Sequence, residues 1–437
     1  MGAIRDTPFS APPGNMTIMS RAHVGAVIVF MGAAFVQCVG DDPDSTTIVP
    51  DGGSSESGDG GSTNPGTDGS SGETDSDAGC ATGLATCGGG GACATKLDED
   101  PLHCGACGHA CMGGDCVDGQ CQPELLASGF PLPVQANLGN GLAIDDKNLY
   151  FATDTRVYKL AKTPSQDAGA AAVMLNDAPF DKPRYLAIKN GRLWWTSMGP
   201  AANSGNLWSM SRDDAPNTAT AVVANLHNPA GVALDGTYVY WATDSTTQNK
   251  GVIRRRQLLG ATSNDDLIPN QSGPRHLLVA ANRLYWDSGG SSNVFYTANA
   301  AINASPNIVV SLGTDSIAGI TATSTKLYWL TYDNAVWRAA LDGTNAEKLH
   351  GGTSAGSAIA VDDNGIYASF QGLYPNQFKD GEVIQLTAPA GQQATSKTIA
   401  KLPFVSGLAI DADFVYAVGG EYPDTSKTSG KVWRIRR

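Results

Sequence analysis

Two groups of residues have the types and spacing that chemistry requires. The first is cysteine, nine in all. Eight are crowded together as Cys80, Cys87, Cys93, Cys104, Cys107, Cys111, Cys116 and Cys121, and Cys38 stands apart. An even, dense set of this kind reads as a disulfide framework, which forms and persists in an oxidising compartment. A zinc site would use repeated Cys-x-x-Cys pairs; Cys104 and Cys107 supply one, and the other spacings do not repeat it. The pairing stays open, since eight cysteines allow about a hundred connectivities. His103 and His109 lie beside them and read as exposed loop side chains. The second group is Arg184-Tyr185 and Arg275-His276, with His227 between them in sequence. Guanidinium forks suit a carboxylate, a sulfate or a sugar acid. No P-loop or His-Glu-x-x-His pattern accompanies them.

Charge narrows the partners. The 437 residues carry a net charge of −13, and the basic runs are confined to Arg254-Arg255-Arg256 and to Arg434, Arg436 and Arg437. Both lie at strand spacing and read as solvated strand faces. Nucleic acid is therefore not an expected partner, because phosphate binding needs a concentrated Lys/Arg surface.

The lone Cys38 follows an apolar run, Val24 to Val36, preceded by Arg21 and His23. The run is too short to span a bilayer and fits the apolar part of a signal peptide. Translation can start at Met1, Met16 or Met19 on this reading. The layout resembles a bacterial lipoprotein signal, in which the cysteine becomes the acylated N-terminus; ordinary secretion with cleavage near Ala33-Ala34 is the alternative. The resemblance implies residues 1–38 as the signal segment, a membrane attachment through lipid at Cys38, and a place at the cell envelope or surface, or otherwise in the periplasm or medium. Residues 39–79 are Gly, Ser, Asp and Thr with almost no large apolar side chain. Such a segment cannot bury enough surface to offset its entropy and is expected to be a disordered tether, with a reach of roughly 35 Å.

Residues 80–122 hold the eight clustered cysteines and few apolar side chains, so cross-links must do the work of a core. The segment is similar to the EGF-like, cysteine-rich modules of secreted proteins. Its HCGACGHAC and CVDGQC stretches look like a short module of bacterial surface lipoproteins.

From Glu124 to Arg437 the sequence is periodic. GLAIDDKNLYFATD recurs as YLAIKNGRLWWTS, GVALDGTYVYWATD, HLLVAANRLYWDS, GITATSTKLYWLT, AIAVDDNGIYASF and GLAIDADFVYAVG. The aromatics Tyr150, Trp194, Tyr240, Tyr285, Tyr328, Tyr367 and Tyr416 mark the units, 39 to 49 residues apart. A period near 40–45 residues with several strands per unit is the mark of propeller blades. Each unit supplies an inner strand, an aromatic second strand and a third strand. Six outer strands follow, as in TAVVANL, and the last unit stops at KVWRIRR. The unpartnered ELLASGF at Glu124 to Phe130 must then complete the last blade. The expected fold is all-β: a seven-bladed β-propeller of four-stranded blades over 124–437, closed by an N-terminal outer strand.

The propeller resembles the YWTD-type propellers of low-density-lipoprotein-receptor-like proteins and their bacterial relatives. Tyr240-Trp241-Ala242-Thr243-Asp244, Tyr150-Phe151-Ala152-Thr153-Asp154 and Tyr328-Trp329-Leu330-Thr331 carry the likeness, with Arg338 and the Leu341-Asp342-Gly343 turn. It departs in its seven repeats, where the receptors usually have six, and in the residue inserted within the motif.

Lining up the inner-strand starts gives the column Gly141, Tyr185, Gly231, His276, Gly319, Ala358 and Gly407. Five small residues imply an open channel mouth, with Arg184, Tyr185, Arg275, His276 and His227 clustered on one side as a ligand site. The plainer arrangement has Tyr185 and His276 plugging the channel and the arginines paired with carboxylates. On the long loops 369–381 and 418–430, Tyr374, Phe378, Glu421 and Tyr422 offer a second recognition surface. The column holds no carboxylate, and Asp145, Asp235, Asp362 and Asp411 fall at hairpin turns, where Asp is favoured. These features together imply an exported binding protein for a glycan, peptide or protein, with no cofactor. The alternative is a metal-dependent propeller enzyme of the lactonase or lyase type with Ca²⁺ or Mg²⁺ in the channel.

Overall fold

The computed structural model describes residues 80–437, apart from 88–92, 133–140, 164–171, 176–181, 245–249, 261–262, 290–292, 299–301, 304, 312, 314–315, 390–391 and 427. The signal segment, Cys38 and the 39–79 tether lie outside the described residues.

Seven four-stranded antiparallel sheets form a seven-bladed propeller. Their first strands are Leu142–Ile144, Pro183–Lys189, Pro229–Leu234, Pro274–Ala280, Ile317–Ala322, Gly356–Asp362 and Gly407–Ile410 in blades 1 to 7. These pack against one another around the ring, the seventh against the first, and so surround the axis. The outermost strand of blade 1 is short, Val173–Met174, and those of blades 2 to 6 run Thr220–Leu226, Asp265–Gln271, Asn307–Ser311, Glu347–Gly351 and Thr395–Lys401. Blade 7 takes its fourth strand from Glu124–Phe130, which pairs with Gly430–Arg436 in the register Phe130 to Gly430 and Glu124 to Arg434. This strand exchange leaves blade 7 no free edge at that seam.

A repeated Asp and Tyr explain how units 1, 3, 6 and 7 turn from the first strand to the second. Asp145 Oδ1 accepts hydrogen bonds from the backbone N–H groups of Lys147 and Asn148 at 2.8 and 2.7 Å, which fixes the hairpin turn. Its Oδ2 accepts from the Tyr150 hydroxyl at 2.9 Å, so the ring is buried with its polar end satisfied. Asp235 with Tyr240 and Asp411 with Tyr416 repeat the arrangement. Burial and the adjoining carboxylate push all three phenols far above the usual tyrosine range. In blade 6 Arg437 intervenes, placing its guanidinium on Asp362 at 2.6 and 2.7 Å and on the Tyr367 hydroxyl at 3.0 Å.

The next aromatic fills the space between blades. Trp195, Trp241, Trp286 and Trp329 are fully buried. Three of them stack on an aromatic of the third strand: Trp195 on Trp208, Trp286 on Phe295 and Trp329 on Trp337, at 6.1, 5.7 and 6.1 Å between ring centroids. Blade 3 departs from this, placing Arg254 opposite Trp241.

In the cysteine-rich module, Cys80 bonds to Cys93, Cys87 to Cys107, Cys104 to Cys116 and Cys111 to Cys121. The last four named sulfurs form its buried centre. The module is seated on blades 6 and 7. Gln120 Nε2 donates to the Thr398 carbonyl at 3.0 Å, and Arg434 Nη2 donates to the Met112 carbonyl at 2.9 Å. His103 and His109 are half-buried rather than freely exposed. His103 Nδ1 accepts from the Gly108 N–H at 2.9 Å, and His109 Nδ1 lies 2.6 Å from the Cys104 carbonyl.

The basic runs are not solvated faces either. Arg255 is buried, 3.2 Å from Asp265 and over the ring of Tyr238 at 4.4 Å. Arg254 binds Asp266 at 2.6 Å, and Arg434 and Arg436 bind Glu124 and Asp413.

Candidate functional site

The innermost strands of blades 2, 3 and 4 each begin with proline, where the missing N–H is tolerated at a strand start. Their pairing with the second strand slips between Pro183 and Leu186, Pro229 and Val232, and Pro274 and Leu277. Each slip is a β-bulge, which turns side chains out of the regular alternation. The bulged residues are Arg184-Tyr185, Ala230-Gly231 and Arg275-His276. Two of the three bulges therefore carry the arginine pairs.

Tyr185 and His276 meet edge to face, 5.6 Å between ring centroids, although blade 3 lies between their blades. Gly231 makes this approach feasible. A Cβ there would fall 2.3 Å from the Arg275 carbonyl oxygen and 2.7 Å from the Leu277 nitrogen. Gly141 likewise faces Leu186, whose nitrogen would lie 2.9 Å from an added Cβ. At Gly141 and Gly231 the column is thus small because neighbouring inner strands touch there.

The absence of a carboxylate in the column is also offset, because Asp287 supplies one from the second strand of blade 4. Its Oδ2 accepts from Arg275 Nε at 3.2 Å and Nη2 at 2.9 Å. Its Oδ1 accepts from the His276 backbone N–H at 2.9 Å and sits 2.7 Å from His276 Nδ1. Asp287 and His276 are both 0% exposed. Burial alone would raise the Asp287 carboxyl, but His276 and the Arg275 guanidinium together hold it below the usual carboxylate range. The sequence carried a signal for this residue. At the same place in the other repeats stand Ala152, Thr196, Ala242, Leu330, Ser369 and Val418, and only the fourth repeat has a charge.

Arg184 is 8% exposed. Its Nη1 donates to Asn228 Oδ1 at 3.1 Å and to the Pro229 carbonyl at 3.3 Å, while its Nε is buried with no acceptor among the described residues. Burial, with Arg275 adding a like charge, pulls its guanidinium below its ordinary value despite Tyr185 and Asp244. Tyr332 joins the group from blade 5, within electrostatic reach of Arg275, Tyr185 and Asp287. Its hydroxyl is also buried without a hydrogen-bond partner among the described residues, and burial pushes it above the tyrosine range. Burial pushes the Tyr185 phenol up to about 12. Tyr332 stands where the first and third repeats have Asp154 and Asp244, a second readable departure from the pattern.

Of the sequence-derived cluster, Arg184, Tyr185, Arg275 and His276 come together and His227 does not. The His227 ring places Nδ1 3.0 Å from the Asp244 carbonyl and lines a separate cleft of about 530 Å³ with Asn203, Asn225, Lys250 and Arg254.

The two rim tyrosines meet through Phe378. Tyr374 and Phe378 are 5.8 Å apart, Phe378 and Tyr422 5.4 Å, and Tyr422 stacks on Phe404 at 5.2 Å. Phe404, on the link between blades 6 and 7, was not singled out from the sequence. Tyr374 is 74% exposed, and its neighbour Leu373 44%. Both loops are fastened. Asp380 accepts from the Leu373 N–H and Asn376 Nδ2, each at 2.8 Å. Asp424 accepts from the N–H groups of Leu132, Thr428 and Ser429 at 3.0 to 3.3 Å. Glu421 lies beside them, 3.7 Å from Lys431.

No protein-family model matches this chain, and no curated protein is similar to it at the level of sequence. The WD40 β-propeller domain of Doa1 is similar in fold, with a TM-score of 0.50 at 9% identity over 72% of this chain and 96% of that one. The nidogen/laminin complex aligns with a TM-score of 0.45 at 16% identity, over 60% of this chain and 97% of that one. The computationally designed Ika8 protein gives 0.45 at 13% identity, over 71% of this chain and all of that one. The likeness is one of fold.

Proposed function

We propose that this chain is an exported, lipid-anchored binding protein that recognises a glycan, peptide or protein of the envelope or its surroundings. Recognition takes place on the propeller face that carries the 371–381 and 420–429 loops. The observation behind this reading is the ring cluster of Tyr374, Phe378, Phe404 and Tyr422, which presents an exposed aromatic edge from two fastened loops. Rigid aromatic side chains give large contact area at low entropic cost. Four disulfides support an oxidising compartment. The position of Cys38 just after an apolar run supports acylation there, and the YWTD-like repeats support partner binding rather than catalysis.

The test is screening of the purified protein against glycan, peptidoglycan-fragment and peptide arrays. A hit is then repeated with Tyr374→Ala and Tyr422→Ala. Each substitution is expected to weaken binding at least about tenfold, roughly 1.4 kcal/mol, with little change in melting temperature. Ligand binding that survives both substitutions would move recognition elsewhere. For the anchor, Cys38→Ser should release the protein from the membrane fraction; retention there overturns acylation at Cys38.

A further inference from the structure

The cleft beside His227 interrupts the blade pattern. In blades 1, 2, 4 and 5 a third-strand ring stacks on the buried aromatic of the second strand: Tyr158 on Phe151, Trp208 on Trp195, Phe295 on Trp286 and Trp337 on Trp329. Blade 3 pairs Trp241 with Arg254 instead, and Arg254 lines a cleft of about 530 Å³ shared by residues of blades 2 and 3. That volume is within the range of ligand pockets, about 300–1,000 Å³. The cleft is bordered by loops joining second to third strands and by the link from blade 2 to blade 3. It therefore lies on the same propeller face as the 371–381 and 420–429 loops, on the other side of the ring.

Several polar groups of this cleft are not used by the fold. The Asp244 carbonyl accepts from His227 Nδ1 at 3.0 Å. Arg254 donates from Nε to Asp266 at 2.6 Å and from Nη1 to Thr243 Oγ1 at 2.9 Å. His227 Nε2, Arg254 Nη2, the Lys250 ammonium and the carboxamides of Asn203 and Asn225 have no hydrogen-bond partner among the described residues. Asp244 is the acid of the wall, and its carboxylate acts on the buried Arg184 and lies 3.7 Å from where a Cβ on Gly273 would stand. Lys250 is thus a cation that no carboxylate of the described residues meets. An ammonium beside a guanidinium edge suits a carboxylate. Carboxamides both donate and accept, which suits sugar hydroxyls.

We propose that this cleft binds a carboxylated sugar, with the uronate carboxylate on Lys250 and Arg254 Nη2 and the ring hydroxyls on Asn203, Asn225 and His227. The site shares no residue with the aromatic rim, so either reading can fail alone.

The experiment titrates sodium glucuronate and sodium galacturonate into the full purified chain by isothermal calorimetry, with glucose and sodium acetate in parallel. Lys250→Met removes the charge of an exposed side chain. Asn225→Gly removes a carboxamide at a φ of 59°, which glycine adopts freely. The expected result is one-to-one binding of a uronate, with glucose and acetate at least about tenfold weaker. Uronate affinity should fall at least about tenfold in Lys250→Met and about threefold in Asn225→Gly, and stay unchanged in Tyr374→Ala. Acetate or glucose binding as tightly as the uronates, no uronate binding, or a uronate isotherm unchanged in Lys250→Met overturns the proposal. Uronate binding lost in Tyr374→Ala and kept in Lys250→Met also overturns it, and moves the sugar to the rim.

Discussion

Arg434 Nε donates to the carboxylate of Glu124 at 2.6 Å, joining residues 310 apart in sequence across the closing pair of strands. The same guanidinium donates through Nη1 to the Lys162 carbonyl of blade 1 at 3.2 Å, and it lies over the Phe414 ring at 4.7 Å. With the bond to Met112, one side chain ties the module, the closing strand and blades 1 and 7. Arg434→Leu is expected to lower unfolding free energy by about 2–4 kcal/mol, because it strands the Glu124 charge and two carbonyls. Glu124→Gln keeps a neutral acceptor and should cost about 1 kcal/mol. Urea denaturation followed by tryptophan fluorescence reads both.

Deleting residues 124–130 leaves the strand Gly430–Arg436 as an open edge. Such an edge pairs with other chains. Size-exclusion chromatography should show oligomers or aggregate for the deletion where the intact chain is less associated.

Gly231→Ala forces a Cβ into the backbone of blade 4 and should cost about 1–3 kcal/mol, as overpacking does. An added Cβ at Gly319 meets the Ile359 methyl at 3.3 Å and its backbone nitrogen no nearer than 3.9 Å, so Gly319→Ala should cost less. Comparison of the two urea midpoints checks the order.

Acid should destabilise the ring in a particular window. Asp145, Asp287, Asp362 and Asp411 are pushed upward by burial, yet their hydrogen bonds and cationic neighbours hold all four below the usual carboxylate range. The stability they confer is fully present above the ordinary carboxylate value of about 3.9 and is lost as pH falls through the depressed folded values. Asp287→Asn removes one buried carboxylate and leaves the partly buried Arg275 without its anion, at a cost of about 3–5 kcal/mol near neutrality. The gap from wild type should narrow as pH is lowered, which urea midpoints measured across the acid range will show.

Reductant should act on the module alone, because no cysteine follows Cys121. Cys104→Ser with Cys116→Ser should cost the module about 2–4 kcal/mol. Calorimetry with and without dithiothreitol should shift a module transition and preserve that of the propeller.

The blade count and the closing strand were legible because the repeats share a pattern: a Tyr or Trp in the second strand of all seven, an Asp five residues before it in four, and a large aromatic after it in five. A missing outer strand at Arg436 and a spare one at Glu124 then had a single solution. The axis was legible only in part. Arg184, Tyr185, Arg275 and His276 could be aligned, but what they touch depends on the bulges and on Gly231, and register slips leave little trace in composition. Asp287 and Tyr332 were visible as departures from the repeat, yet a departure does not say what it faces. His227 precedes the bulge, and its ring lines a cleft shared by residues of blades 2 and 3.

The order of synthesis gives the closing strand a further consequence. Glu124 emerges from the ribosome 310 residues before Arg434, an interval of about 15–60 s at roughly 5–20 residues per second. Throughout that time Glu124–Phe130 has no mate, and the ring cannot lock blade by blade as it is made. Final assembly of the ring is therefore a post-translational event.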